Sequence, residues 1–96
     1  MSKFKHIVLF KIHDEVGDDV FDEAVNTLRE LGVGHDGLES WNVNISVDTR
    51  KGRIIIEEAV FATEDAYEHF HGSDKHVEAG ELMRTIADWW VGDYFG

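Results

Sequence analysis

The sequence contains no cysteine and no proline. Without cysteine, the chain of 96 residues forms no disulfide, has no thiolate nucleophile and offers no thiolate ligand to a metal. No apolar stretch approaches the roughly 20 residues that a membrane-spanning helix needs, and the N-terminus lacks the apolar segment of a secretory signal. We therefore expect a cytoplasmic protein that has no membrane partner.

Basic residues are scarce, because nine lysines and arginines stand against 20 acidic residues and give a formal net charge of −11. Such a chain repels phosphate backbones, so nucleic acid is not an expected partner either. The one basic concentration, at Arg50, Lys51 and Arg53, flanks Gly52 and fits a solvated hairpin turn. At this length we expect one domain over residues 1–96, with extra burial through oligomerisation.

Four segments have the patterns of β-strands. Residues 5–11 and 53–61 are apolar on both side-chain parities, which is typical of strands that are covered on both faces. Residues 38–47 alternate between apolar and polar side chains, which predicts a strand with one face in water. Residues 89–95 predict a closing strand.

Two further segments have apolar residues at helical spacing. The first is predicted to begin near Asp18 or Asp19 and to end at Gly32 and Gly34, because glycine readily adopts the left-handed conformation that closes a helix. The second is predicted to begin after Thr63, a good N-cap, and to break and restart at residues 72–74.

The element order is therefore βαββαβ, which predicts an α+β, ferredoxin-like domain with an antiparallel four-stranded sheet. In such a sheet the first and third strands are central, as their two apolar faces require. Both helices lie on one face of the sheet. Since nothing in the chain remains to cover the other face, we expect a homodimer whose sheets pack together as a dimeric α/β barrel.

The spacing of three neighbouring histidines, His69, His71 and His76, argues against a metal site. On a helix the first two point about 200° apart, and neither an i, i+4 histidine pair nor a His-Glu-x-x-His motif is present. Zinc sites also commonly use cysteine. The glycines at 32, 34 and 37 do not follow a strand into a helix, so they form no phosphate-binding loop. We expect neither a metal nor another cofactor.

Three segments resemble the stress-responsive dimeric α/β-barrel family, usually called Dabb. Residues 5–11 are similar to the family's opening strand, and residues 61–70 with the following His76 are similar to its strand end, helix and histidine. Asp93 and Tyr94 are similar to the Asp-Tyr pair that often ends the last strand. The resemblance implies a ferredoxin-like fold and a homodimer of facing sheets. It implies no single chemistry, because members include stress-induced proteins without assigned activity and a plant cyclase that closes polyketide chains.

The resemblance also suggests catalytic roles for two histidines. His6 matches the first-strand histidine, and His76 matches the second histidine of the family's His-Pro-x-His segment. Ser73 and Asp74 replace the first histidine and the proline, and Phe70 stands where a tyrosine is common. Since phenylalanine has no hydroxyl and cannot transfer a proton, this departure argues against a cyclase of the plant type.

We expect His6 and His76 to approach a common pocket between the sheet and the helices. The simpler interpretation of His6 is a buried histidine satisfied by a polar partner, and that of His76 is a surface or helix-start residue. Trp89 and Trp90 point to opposite faces of the last strand, so one could line the pocket and the other the dimer interface, whereas a place in the core is the simpler interpretation for both. The remaining pocket residues that we predict are Val8, Tyr67, Phe70, Trp89 and Tyr94.

Two functions remain open. The first is a stress-responsive domain protein that binds a small, partly apolar or aromatic molecule without catalysis. The second is a cofactor-free enzyme, such as a polyketide cyclase, an isomerase or a monooxygenase-like catalyst, that acts on an aromatic or polyketide substrate. A pocket of histidine, phenylalanine and aliphatic side chains alone would favour binding, whereas Tyr67, Tyr94 or an acid beside the histidines would favour catalysis.

Overall fold

The computed structural model describes residues 2–96 as four strands and three helices. In chain order they are β1 (Phe4–Ile12), α1 (Asp18–Leu31), β2 (Leu38–Ile45), β3 (Ile54–Phe61), α2 (Glu64–His71), α3 (Asp74–Ile86) and β4 (Ala87–Phe95). The strands pair antiparallel in the order β2-β3-β1-β4, so β1 and β3 are central. The predicted α+β, ferredoxin-like topology is confirmed, with the second helix divided into α2 and α3. No helix in the described part of the chain has the length and apolar character needed to cross a membrane.

Helix α1 ends where the sequence predicts, but for a partly different reason. Gly32 follows the last helical residue with φ −77°, so it is not in the left-handed region. A Cβ atom at this position would lie 2.1 Å from the indole of Trp41, so the close approach of that ring requires glycine. The left-handed conformation occurs two residues later, at Gly34, with φ +81°.

Side-chain caps start α2 and α3. The backbone N–H of Ala66 donates a hydrogen bond to the Thr63 hydroxyl at the start of α2. At the start of α3 the backbone N–H of His76 donates to the Ser73 hydroxyl. The predicted break between the two helices is therefore confirmed, and the second cap fixes His76 in the first turn of α3.

The helices cover one face of the sheet, and this face forms the core. Alternate residues of β1 are buried there, namely Phe4, His6, Val8, Phe10 and Ile12. Strand β3 adds four further buried residues, Ile55, Glu57, Ala59 and Phe61. Because paired residues on neighbouring strands share a face, Trp89, Val91 and Asp93 of β4 also lie on the helix side.

The opposite face, called the outer sheet face below, has no helix over it and carries an apolar patch that is bordered by Lys5, Lys11 and Glu58. It carries Ile7, Leu9, Ile54, Ile56, Val60 and Trp90. Leu9 is 42% exposed and Trp90 is 62% exposed. Trp89, on the helix side, is 38% exposed, so the interpretation that both tryptophans are core residues is wrong. Edge strand β4 has too little chain packed over it to bury either ring.

Candidate active site

A cavity lies between the helix-facing side of the sheet and the three helices. Its volume is about 530 Å³ when the open mouth and the adjoining solvent space are included. Its polar side chains are His6, Glu57, Tyr67, His71 and His76. Most of the remaining wall is apolar and includes Val8, Phe10, Leu28, Met83, Trp89 and Val91. No lysine or arginine lines the cavity among the residues that the structure describes.

Two carboxylates hold the imidazole of His6. Strand pairing places Asp93 directly beside His6, with 2.5 Å between Asp93 Oδ1 and His6 Nδ1. On the other side of the ring, Nε2 lies 3.4 Å from Glu57 Oε2. His6 and Glu57 are each only 3% exposed. Although one histidine and two carboxylates meet here, no group of three possible ligands among residues 2–96 is arranged to hold a metal ion.

The environment of His6 favours its charged form. Burial alone would lower the pKa of His6, but the carboxylates of Glu57 and Asp93 outweigh that effect and raise the pKa above its ordinary value of 6.5. In the protonated ring both nitrogens carry hydrogens, so Nδ1–H donates to Asp93 and Nε2–H points to Glu57. The charged form of His6 is therefore favoured in this buried position, and the two carboxylates fix the ring in orientation from both sides.

The environment of His76, in contrast, favours its uncharged form. Its ring packs edge-on against Phe70, with 5.1 Å between the ring centroids, and lies 4.5 Å from the ring of His71. Burial and the positive charges of His71, His6 and His35 lower the pKa of His76 to about 4. No hydrogen bond within the described chain involves the His76 ring, whose backbone N–H alone makes the capping contact. At neutral pH, His76 therefore presents an uncharged imidazole to the cavity.

Tyr67 brings a hydroxyl group to the same end of the cavity. Helix α2 places its ring 4.8 Å from the ring of His6 and 5.7 Å from that of His71, centroid to centroid. Burial and the negative charges of Asp93 and Glu57 raise the pKa of Tyr67 above its ordinary value of 10.0. The phenol therefore keeps its proton and can donate a hydrogen bond.

The cavity brings together most of the residues predicted to line it, namely His6, His76, Val8, Tyr67 and Trp89. Phe70 and Tyr94 lie elsewhere, which corrects their predicted position. Phe70 is 1% exposed and packs in the core behind His76. Tyr94 pairs with Lys5, so it lies on the outer sheet face, where the lysine ammonium stands over its ring.

Sequence reasoning missed Glu57 and Asp93 as members of the site. A signal for Glu57 exists, because it occupies the inward parity of β3 between Ile55 and Ala59. An acidic side chain at such a core position needs a buried partner. Asp93 belongs to the Asp-Tyr pair noted in the sequence, but its place beside His6 depends on the pairing register of two strands that are far apart in sequence.

Several solved structures share this architecture. A dimeric ferredoxin-like protein of unknown function from Bacteroides fragilis has a TM-score of 0.81 and 22% identity, over 96% of this chain and 94% of that one. The hydroxynitrile lyase from Passiflora edulis has a TM-score of 0.84 and 15% identity, over 98% and 93%. SnoaB, a cofactor-independent oxygenase from Streptomyces nogalater, has a TM-score of 0.77 and 12% identity, over 98% and 92%. These similarities establish a common fold.

No curated protein is significantly similar to this chain in sequence. The family model described as Stress responsive A/B Barrel Domain, however, matches residues 4–95. That match runs from the first residue of β1 to the last residue of β4. This chain therefore belongs to the stress responsive A/B barrel domain family, Dabb.

Proposed function

We propose that this domain binds a neutral, partly apolar molecule in the cavity and catalyses a proton transfer at the polar end of that molecule without a cofactor. One observation carries the proposal: the neutral imidazole of His76, whose ring has no hydrogen-bond partner within residues 2–96, lines the same cavity as the Tyr67 phenol and as His6, whose charged form is favoured. The sequence left binding and catalysis open. The convergence of a tyrosine and two acids on His6 favours catalysis.

The charges around the cavity favour a neutral ligand. Glu57 and Asp93 carry two negative charges against the single positive charge of His6, and the described wall contains no lysine or arginine. An anionic ligand would meet this excess of negative charge in a poorly solvated site, where charge repulsion is stronger than in water. A hydroxyl or carbonyl group, in contrast, can hydrogen-bond to Tyr67 or His76.

Proton abstraction from a carbon atom beside a carbonyl group is the reaction class that fits best. In this step the C–H bond breaks, the imidazole of His76 takes the proton, and the electron pair moves onto the carbonyl oxygen. The Tyr67 O–H donates to that oxygen, and the nearby His6 imidazolium stabilises the developing negative charge. The shared fold with a lyase and a cofactor-independent oxygenase supports such chemistry by analogy.

The outer sheet face supports a homodimer, in which a second copy covers the apolar surface left open by the helices. Leu9 and Trp90 are neighbours across β1 and β4, and both side chains are exposed in the single chain. Apolar patches of this kind mark association surfaces. The similar protein from Bacteroides fragilis is described as dimeric, which agrees with this proposal.

Titration with 4-butylphenol tests ligand binding directly, because this molecule is neutral at pH 7 and joins one hydroxyl to an apolar group. We expect it to shift the imidazole NMR resonances of His6 and His76 together and to leave those of His13 unchanged. The anion 4-butylbenzoate, which carries a carboxylate in place of the hydroxyl group, should bind at least about tenfold more weakly, since it adds a charge to an already negative site. Equal affinity for the phenol and the benzoate, or a titration in which neither His6 nor His76 responds, would contradict the proposal.

A further inference from the structure

One glycine in the wall of the cavity has no evident structural need to be glycine. Gly80 lies in the middle of α3 and lines the cavity. Its φ is not positive, so its backbone conformation suits any residue. A Cβ atom at this position would meet nothing within 4 Å, in contrast to Gly32, where it would strike an indole ring. Since glycine weakens a helix interior relative to alanine, neither packing nor helix stability accounts for Gly80.

The position of Gly80 indicates a role in binding the ligand rather than in stabilising the fold. On α3, His76 precedes it by four residues and Met83 follows it by three, so the three residues share one helix face, and all of them line the cavity. The helix rises about 6 Å from His76 to Gly80. Strand β1 runs alongside from His6, at the polar end, towards Phe10, at the apolar end. Gly80 therefore opens space just beyond the polar end.

We propose that Gly80 is a specificity-determining residue whose missing side chain makes room for the apolar group of the substrate. The inference rests on the proposed function, because it places the polar group of the substrate beside His76 and His6. The apolar group then extends past Gly80 towards Met83. A larger side chain at position 80 would project between its helix neighbours and fill that space. The substrate class is thus a neutral phenol or carbonyl compound that carries an extended alkyl or aryl group.

A series of 4-alkylphenols, from phenol to 4-hexylphenol, tests this assignment in the wild-type chain and in Gly80→Ala and Gly80→Leu. Phenol should bind all three proteins with the same affinity. Gly80→Leu should bind 4-hexylphenol about tenfold or more weakly than the wild type, because several methylene groups lose their place in the cavity. Gly80→Ala should melt at a higher temperature and show a smaller loss of affinity in the same direction. Glu81→Leu adds the same side chain at an exposed neighbouring position and should bind like the wild type.

The outcomes separate this inference from the function on which it rests. If His6 and His76 respond to the alkylphenols but Gly80→Leu binds the whole series like the wild type, the assignment of Gly80 is wrong and the proposed function stands. An equal loss of affinity for phenol and for 4-hexylphenol would also overturn it, since the loss would not depend on chain length. If no alkylphenol perturbs either histidine in the wild type, both proposals fail.

Discussion

Replacing His76 with alanine should slow deuterium exchange at the methyl group of 4-butylacetophenone by about 10²- to 10⁴-fold, the usual contribution of a positioned general base. This neutral ketone joins a carbonyl group and an acidic methyl group to an apolar tail, and proton NMR in D₂O follows the loss of the methyl signal. The lowered pKa of His76, about 4, keeps the lone pair available throughout the neutral range. When the proton moves, the imidazolium that burial disfavours is formed beside an enolate of opposite charge, which offsets that cost.

The pH profile and two further variants test whether His76 itself is the base. The wild-type rate should fall as pH decreases through about 4, because protonation of His76 removes the base, and should also fall as pH rises through the raised pKa of His6, because the stabilising positive charge is lost. Tyr67→Phe should lower the rate while leaving the inflection on the acid side in place, since it removes a hydrogen-bond donor and not the base. His69→Ala removes an exposed histidine of α2 and should have no effect. A His76→Ala variant with the full wild-type rate would show that the base lies elsewhere.

Changing Leu9 to aspartate should dissociate the proposed dimer and raise its Kd by about 10³-fold or more. Leu9 occupies the middle of the outer sheet face, paired with Ile56 on one side and Trp90 on the other. Twofold symmetry brings two such carboxylates into an apolar interface, at a cost of at least about 4 kcal/mol. Sedimentation equilibrium at micromolar concentration should report about twice the chain mass of 11.0 kDa for the wild type and a single chain for the variant.

A matched control separates the position of the charge from the charge itself. Val47→Asp makes the same kind of change at a valine that is 100% exposed, so this variant should remain dimeric. Far-UV circular dichroism shows whether the dissociated Leu9→Asp chain keeps its helices and strands. A wild-type protein that sediments as a single chain, or a Leu9→Asp variant that stays dimeric, would remove the outer sheet face as the interface.

The fold was predictable because the local patterns of the strands and helices agree with what a four-stranded sheet covered by helices requires. Two strands apolar on both parities had to be central, and the segment around Ser73 both breaks one helix and caps the next. The side chains facing the cavity were predictable for the first strand, since His6 and Val8 follow simply from alternation. The homodimer and the cytoplasmic location were also predicted from the sequence, and both stay predictions.

Which side chains of β4 and α2 face the cavity was harder to predict from the sequence, because this depends on the strand register and on the rotation of the helix about its axis. Asp93 and Tyr94 are adjacent on a strand, so only one of them can face the cavity, and the pairing of Asp93 with His6 decides which. Likewise, Tyr67 and Phe70 share a side of α2, but the angle between them places one ring in the cavity and the other behind His76. The hydrophobic pattern of the sequence determines neither which of the two β4 residues nor which of the two α2 rings faces the cavity.

Titration of the two imidazoles by ¹⁵N NMR is the most direct test of the division between a charged His6 and a neutral His76. We expect His6 to lose its proton only above its ordinary pKa of 6.5, because Glu57 and Asp93 hold the charge. We expect His76 to stay neutral until the pH falls to about 4. The reverse order, or two histidines that both titrate near 6.5, would contradict the assignment of His76 as the base and His6 as the fixed positive charge.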